Sequence, residues 1–388
     1  MKIKNLIKTT AIFLLCCIMV LPLNAMAYAG NDTANTYDSI YSDFIPAEAN
    51  EYVEENYTYI LEVVAANLPL FDLQSSELEN IYIGKPYTIY NIGDNCDSEI
   101  YYYPVVNRSN GEIILIINLI GTTTGWSMSI DQNFVIQLNE IDFLNNDYIL
   151  YSNEDATIAE NDTKSVLITG TKNTEIKKFE KIAHSQKIKN IHNSLKQKKK
   201  VDAKAVKGGP KEEINASRGY SVNTSTNKVC TLFNSKGQGN LPICWAASIA
   251  TIVNYVNGSN VSATDVCDAL NLGYVGQNIS MKKRALDHYG LDFYTIVYEQ
   301  LSWSNVKANI NNRFPVAASL FSEDGSGHGV TVMGYREVLG SRNPRYYITI
   351  WNSGLNGGAG GTQVVCYTYE DTSVPYNNKA FIWKYSLY

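Results

Sequence analysis

The stretch Gly237-Gln238-Gly239-Asn240-Leu241-Pro242-Ile243-Cys244-Trp245-Ala246-Ala247 decides how the rest of the chain is read. A polar loop runs into an apolar pattern at helical spacing. Trp245, Ile249, Ile252, Val253 and Val256 share one face, and Gly258 is the stop. Cys244 stands at the junction. The first turn of a helix has N–H groups without intrahelical partners and the positive end of the helix dipole. Both favour the thiolate, the reactive form of cysteine. Six residues upstream, Gln238 carries an amide able to donate to a developing oxyanion.

A cysteine nucleophile needs a base within reach, and the base needs an orienting group. The chain has four histidines. His184 and His192 fall in a lysine-rich segment. His288 comes late in a short helical pattern, where a surface or capping role is expected. His328 follows Gly325-Ser326-Gly327 and opens the apolar strand Gly329-Val330-Thr331-Val332-Met333-Gly334. Asn352 ends the strand Tyr346-Tyr347-Ile348-Thr349-Ile350-Trp351 and begins a glycine-rich turn. Pairing of these strands as a hairpin would bring His328 and Asn352 to the same end of a sheet.

Helices are expected over Cys244 to Asn257, Ser262 to Leu270, Met281 to Tyr289 (capped by Ser280) and from the Ser302 cap to Asn312. Strands are expected over Phe293 to Tyr298, Val316 to Phe321, His328 to Glu337, Tyr346 to Trp351, Gln363 to Tyr369 and Ala380 to Leu387. Helices first and strands after, with local antiparallel connections, predict an α+β fold.

The stretches Gln238 to Ala247, His328 to Gly334 and Ile348 to Gly354 resemble the papain-like cysteine peptidases. Within them the chain resembles the compact secreted bacterial staphopain type. The aromatic terminus Phe381-Ile382-Trp383-Lys384-Tyr385 adds to the likeness, which covers residues 219–388. The resemblance implies a papain-like domain with Cys244 as nucleophile, His328 as general base and then acid, and Asn352 orienting the imidazole. Gln238 would be an oxyanion donor beside the Cys244 N–H. It also implies synthesis as an exported zymogen acting on protein or peptide substrates. The chain departs from the plant-type pattern. Pro242-Ile243 precedes the cysteine, Trp351 precedes rather than follows Asn352, and no second half-cystine adjoins Cys244. Another thiol acyl-transfer enzyme on the same fold, an amidase or a transglutaminase-like one, is the alternative. An inactive secreted binding module is the non-enzyme reading.

The preceding chain has a different character. Lys2, Lys4 and Lys8, the apolar run Ala11 to Leu23 and Ala25-Met26-Ala27 read as a signal peptide over residues 1–27. Export and no stable membrane anchor are expected, the run being short for a span. Residues 28–171 hold 23 acidic and 3 basic residues. A helix over Pro46 to Leu68 is followed by period-two patterns over Ile81 to Tyr90, Glu99 to Val106, Glu112 to Ile120, Thr123 to Ile130 and Asn133 to Leu138. Tyr148 to Tyr151 and Ser165 to Ile168 add two more. This is the pattern of a mainly antiparallel β domain, expected to act as an intramolecular inhibitor. Residues 172–218 form a basic linker with 13 lysines between 172 and 215. It is a target for an activating protease or for self-cleavage. The linker lacks interleaved aromatics, which argues against nucleic acid as a partner. The opposed charges predict salt-sensitive docking of the acidic domain. Outside the leader stand Cys96, Cys230, Cys244, Cys267 and Cys366, an odd set that suits one free thiol. No Cys-x-x-Cys pair or zinc-spaced Cys/His cluster occurs, so neither cofactor nor metal is expected.

Overall fold

The computed structural model describes residues 40, 45–91, 100–122, 125–141, 148–152, 156–161, 165–169, 224–231, 234–339 and 344–388. The expected leader, Cys96 and the lysine-rich segment with His184 and His192 lie outside them.

Pro46 precedes helix α1 (Ala47–Ala65), where its missing N–H costs nothing. Ala49, Val53, Ile60, Val63 and Val64 form the buried stripe. A 3₁₀ turn (Leu68–Phe71) and α2 (Ser75–Glu79) follow, then β1 (Ile81–Ile83), β2 (Tyr90–Asn91), β3 (Ile100–Asn107), β4 (Ile113–Thr122) and β5 (Gly125–Asp131). Strand β3 is buried along its whole length. Tyr101, Tyr103 and Val105 pack with the α1 stripe. Ile100, Tyr102 and Val106 face the other way, toward a small sheet. That sheet has β2 beside β6 (Ile149–Ser152), β7 (Thr157–Glu160) and β8 (Ser165–Thr169).

Two expectations fail in this region. Ile81 to Tyr90 is not one strand, because Pro86 has no donor for the ladder and the halves join different sheets. Asn133 to Leu138 is not a strand but leads into helix α3 (Val135–Asn139). The Asp131 carboxylate accepts from Asn133 N at 2.9 Å, and Phe134 turns the chain out of the sheet with φ 68°.

After β9 (Thr224–Val229) come α4 (Cys244–Asn257), α5 (Ala263–Ala269), α6 (Ile279–His288), β10 (Ile296–Val297) and α7 (Trp303–Asn311). The third of these helices begins earlier than expected, capped by Asn278 rather than Ser280; Asn278 Oδ1 accepts from Met281 N. Strands β11 (Val316–Phe321), β12 (Gly327–Leu339), β13 (Pro344–Asn352), β14 (Gly361–Cys366), β15 (Ser373–Tyr376) and β16 (Lys379–Leu387) complete the chain. The expected strand Phe293 to Tyr298 shrinks to β10. Helices α4, α5 and α6 pack with Ala317 and Leu387 on one face of the sheet. Trp303, Val306 and Ile310 of α7 pack on the opposite face. The fold is α+β.

The two regions share one antiparallel sheet. Its order is β1-β3-β4-β5-β14-β13-β12-β11-β16-β10, with β9 on β12 and β15 on β16. The seam is the pairing of Ser129 and Ile130 with Val365 and Val364. Val338, Tyr347 and Val364 sit in the same apolar cluster as the α1 stripe. Each such fully buried side chain is worth about 1.5–3 kcal/mol against exposure. Arg336 and Glu62 reach across at 3.7 Å, with both side chains in contact with solvent. Among the described residues the seam is held by burial and strand pairing, and the lysine-rich segment invoked for a salt-sensitive contact lies outside them.

Candidate active site

Helix α4 begins at Cys244, as the sequence pattern requires, and Ile243 occupies the cap position. Its N-terminus packs directly on β12. A Cβ at Gly329 would stand 3.0 Å from Trp245 Cα and 3.1 Å from Trp245 N, so only glycine allows this approach without a shift. Gly329 N donates to Cys244 Sγ at 3.3 Å.

Strands β12 and β13 pair antiparallel, with Thr331 opposite Trp351. His328 and Asn352 therefore meet at one end, and His328 Nε2 lies 2.8 Å from Asn352 Oδ1. An amide oxygen can only accept, so Nε2 carries the proton. That leaves Nδ1 to face the thiol. Asn352 is fully buried. Its Nδ2 donates to Gln363 Oε1 at 3.4 Å, and its Oδ1 also accepts from Gly354 N at 3.1 Å. Both contacts fix which end of the amide meets the imidazole.

Burial alone would raise the Cys244 thiol. The His328 hydrogen bond and charge, the Lys282 charge and the Gly329 N–H outweigh it and bring the thiol down to about 7. At neutral pH the sulfur is thus at the midpoint of ionisation, against about 8.5 for a free cysteine.

Gln238 lies on the loop before α4. Its Oε1 accepts from Ser353 Oγ at 3.1 Å, and its Nε2 donates to Leu241 O at 3.2 Å. The amide nitrogen has two hydrogens, so one engaged bond leaves a second donor. The loop interlocks with the turn at 355–358. Gly239 N donates to Gly358 O at 2.9 Å, and a Cβ at Gly358 would stand 2.1 Å from Gly239 O.

Three residues in the site were not foreseen. Tyr376 stacks on His328, with ring centroids 4.1 Å apart and planes 13° apart. It caps the imidazole and shields the His328–Asn352 bond from water. Burial, then the Cys244 charge, push its phenol up to about 12, so it stays neutral near pH 7. The β15–β16 turn Asn377-Asn378, with φ 48° and 55°, aims it. Two adjacent asparagines were the available signal for that hairpin. Gln363 ties Asn352 to the acidic region; its Nε2 donates to Asp131 Oδ2 at 3.0 Å and to Pro375 O at 3.0 Å. Lys282, fully buried on α6, donates to Ser319 Oγ at 2.8 Å and Ala318 O at 3.2 Å.

His288 is exposed against Tyr289 and away from the site, as expected. Cys230 and Cys267 are buried free thiols, and Cys366 is a half-buried one. Among the described residues, no group of three or more His, Cys, Asp or Glu side chains is placed to hold a metal ion. Compared with known proteins, the chain matches no family model and no curated protein.

Proposed function

We propose that the chain is a secreted cysteine peptidase of the papain-like kind, made as a zymogen. The observation that carries this reading is the continuous contact from Cys244 through His328 to Asn352, with the sulfur at a helix N-terminus.

In the proposed mechanism Cys244 and His328 rest as thiolate and imidazolium. The sulfur attacks the peptide carbonyl carbon, and the oxyanion takes hydrogen bonds from the Cys244 N–H and the Gln238 amide. His328 passes its Nδ1 proton to the leaving amine as the C–N bond breaks, leaving a thioester. Water then attacks the thioester, giving a proton to His328. The acid product leaves and the ion pair is restored. Asn352 holds the ring through both halves, and Tyr376 excludes water from that contact.

The acidic region is proposed to restrain the site. It grips the hairpin that carries Tyr376, with Tyr102 Oη donating to Asn378 Oδ1 at 2.9 Å and Asn378 Nδ2 donating to Ile89 O at 2.9 Å. Asn133 Oδ1 accepts from Asn356 N at 3.2 Å, in the turn that braces the Gln238 loop. Export follows from the leader, and cleavage in 172–218 would start activation. The test is digestion of casein by the full and trimmed chains. Loss of hydrolysis in Cys244→Ala supports the reading, and full activity in that variant overturns it.

A further inference from the structure

A buried cation lies behind the thiol, and the steps above do not use it. Lys282 is 2% exposed, yet both of its hydrogen-bond acceptors are neutral. Among the described residues no carboxylate lies within ion-pair distance of it. It also stands in the first turn of α6, where the helix dipole disfavours a positive charge. A buried ammonium without a counter-charge is costly, so as a tie between α6 and β11 it is a poor device.

Its position explains it better. A Cβ on Gly329 would stand 3.1 Å from Lys282 Nζ, and the N–H of the same residue donates to Cys244 Sγ. Ammonium and sulfur thus flank one glycine. The other charged groups around α6 are engaged elsewhere. On α6 itself Lys283 pairs with Asp287, Arg284 is exposed and His288 packs on Tyr289. On β16 Lys379 pairs with Asp324 and Lys384 with Asp371. Asp265 of α5 caps its own helix, Asp268 accepts from Tyr274, and Cys267 is a buried neutral thiol. Strand β11 carries no titratable side chain, and β12 presents His328. Tyr376 faces the sulfur in neutral form.

We propose that Lys282 is a positioning residue whose ammonium is a second counter-ion of the Cys244 thiolate, beside the imidazolium of His328. A neighbouring cation favours the ionised form of a sulfur, and the Lys282 charge acts on Cys244 in that direction. Unlike His328, this cation gives up no proton during the cycle, so it supports the thiolate each time the sulfur is released. Burial lowers the lysine to about 8, while the Cys244 charge opposes that shift. The lysine therefore still holds its proton at the thiol's midpoint near 7.

The catalytic consequence rests on the peptidase reading, but the test does not need turnover. Iodoacetamide labelling of Cys244 in the full chain, followed by mass spectrometry of its peptide, gives a midpoint against pH. Lys282→Met should move that midpoint up by about one pH unit, leaving about tenfold less thiolate at pH 6. Ser319→Ala removes the shorter of the two ties to β11 but keeps the charge, and should shift it by less than about 0.3 unit. An unchanged midpoint in folded Lys282→Met overturns the assignment, as does an equal shift in both variants. If Lys282→Met does not fold, NMR titration of the lysine ammonium in wild type and Cys244→Ser decides. Lys282 should lose its proton at lower pH without the thiolate, and an identical titration overturns the proposal. A shift in Lys282→Met from a chain that never cleaves casein would sink the peptidase reading and leave this one standing.

Discussion

Tyr376 does for His328 what no nearby residue in the sequence announces. Its ring lies almost parallel to the imidazole, and a side chain at Gly354 would strike its hydroxyl at 2.2 Å. The stacking needs the ring and not the phenol. Tyr376→Phe should therefore hold kcat/KM near wild type, whereas Tyr376→Ala should lower it about tenfold by wetting the His328–Asn352 bond. Peptide kinetics on both variants check this; equal losses would assign the work to the hydroxyl. His328→Ala should remove at least the 10²–10⁴-fold that a general base supplies, and Asn352→Ala about tenfold to a hundredfold. A deeper loss in Asn352→Ala than in His328→Ala would contradict an orienting role. The site residues legible in the sequence were those with local signals: a cysteine at a loop–helix junction, a histidine after glycines, an asparagine ending an aromatic strand. Lys282 and Tyr376 were not legible, because a lysine on a short helix and a tyrosine near a turn look like ordinary surface residues until long-range packing buries them.

At the scale of elements, the seam between β5 and β14 carries a buried acid. Asp131 is 2% exposed and accepts from Asn118 Nδ2, Gln363 Nε2 and Asn133 N. Burial pushes it up to about 7, against the pull of those donors. The folded state therefore keeps a proton that the unfolded chain releases near pH 4. The sign follows from that difference. As pH rises from about 4 to about 7 the group takes stability away from the fold, and above that window its effect is constant. Denaturant midpoints of wild type should show this falling component, and Asp131→Asn should lack it. Asn would also turn an N–H toward Gln363 and cost about 1–3 kcal/mol for the bond left unmade. A wild-type profile parallel to that of Asp131→Asn would refute the account of the seam. Element by element, α4 and β11 appear where the local pattern put them, α4 because its apolar stripe and its Gly258 stop agree. The failures lie where one local feature broke the period: Pro86 in the run Ile81 to Tyr90, and the Asp131–Asn133 turn before α3. Pairing of β5 with β14 joins residues more than 230 positions apart, and no local pattern encodes it.

At the scale of the molecule, strand pairing and burial are what hold the acidic region among the described residues. A continuous sheet and a common apolar cluster join it to the region that carries Cys244. Cutting the chain within 172–218 should thus leave both parts together. They should co-elute on gel filtration even in high salt, where surface charge pairs are screened to about 3 Å. Separation by salt alone would show that the seam is weaker than its burial implies. Because the parts stay joined after the cut, full release of the site needs proteolysis of the acidic region itself. The central claim, that Cys244 with His328 cleaves peptide bonds, is tested most directly by one measurement. Casein is incubated with wild type and with Cys244→Ala, from each of which the acidic region has first been digested away, and new amino termini are counted over time. The account predicts steady release by wild type and none above buffer by the variant; equal release by both, or none by either, would contradict it.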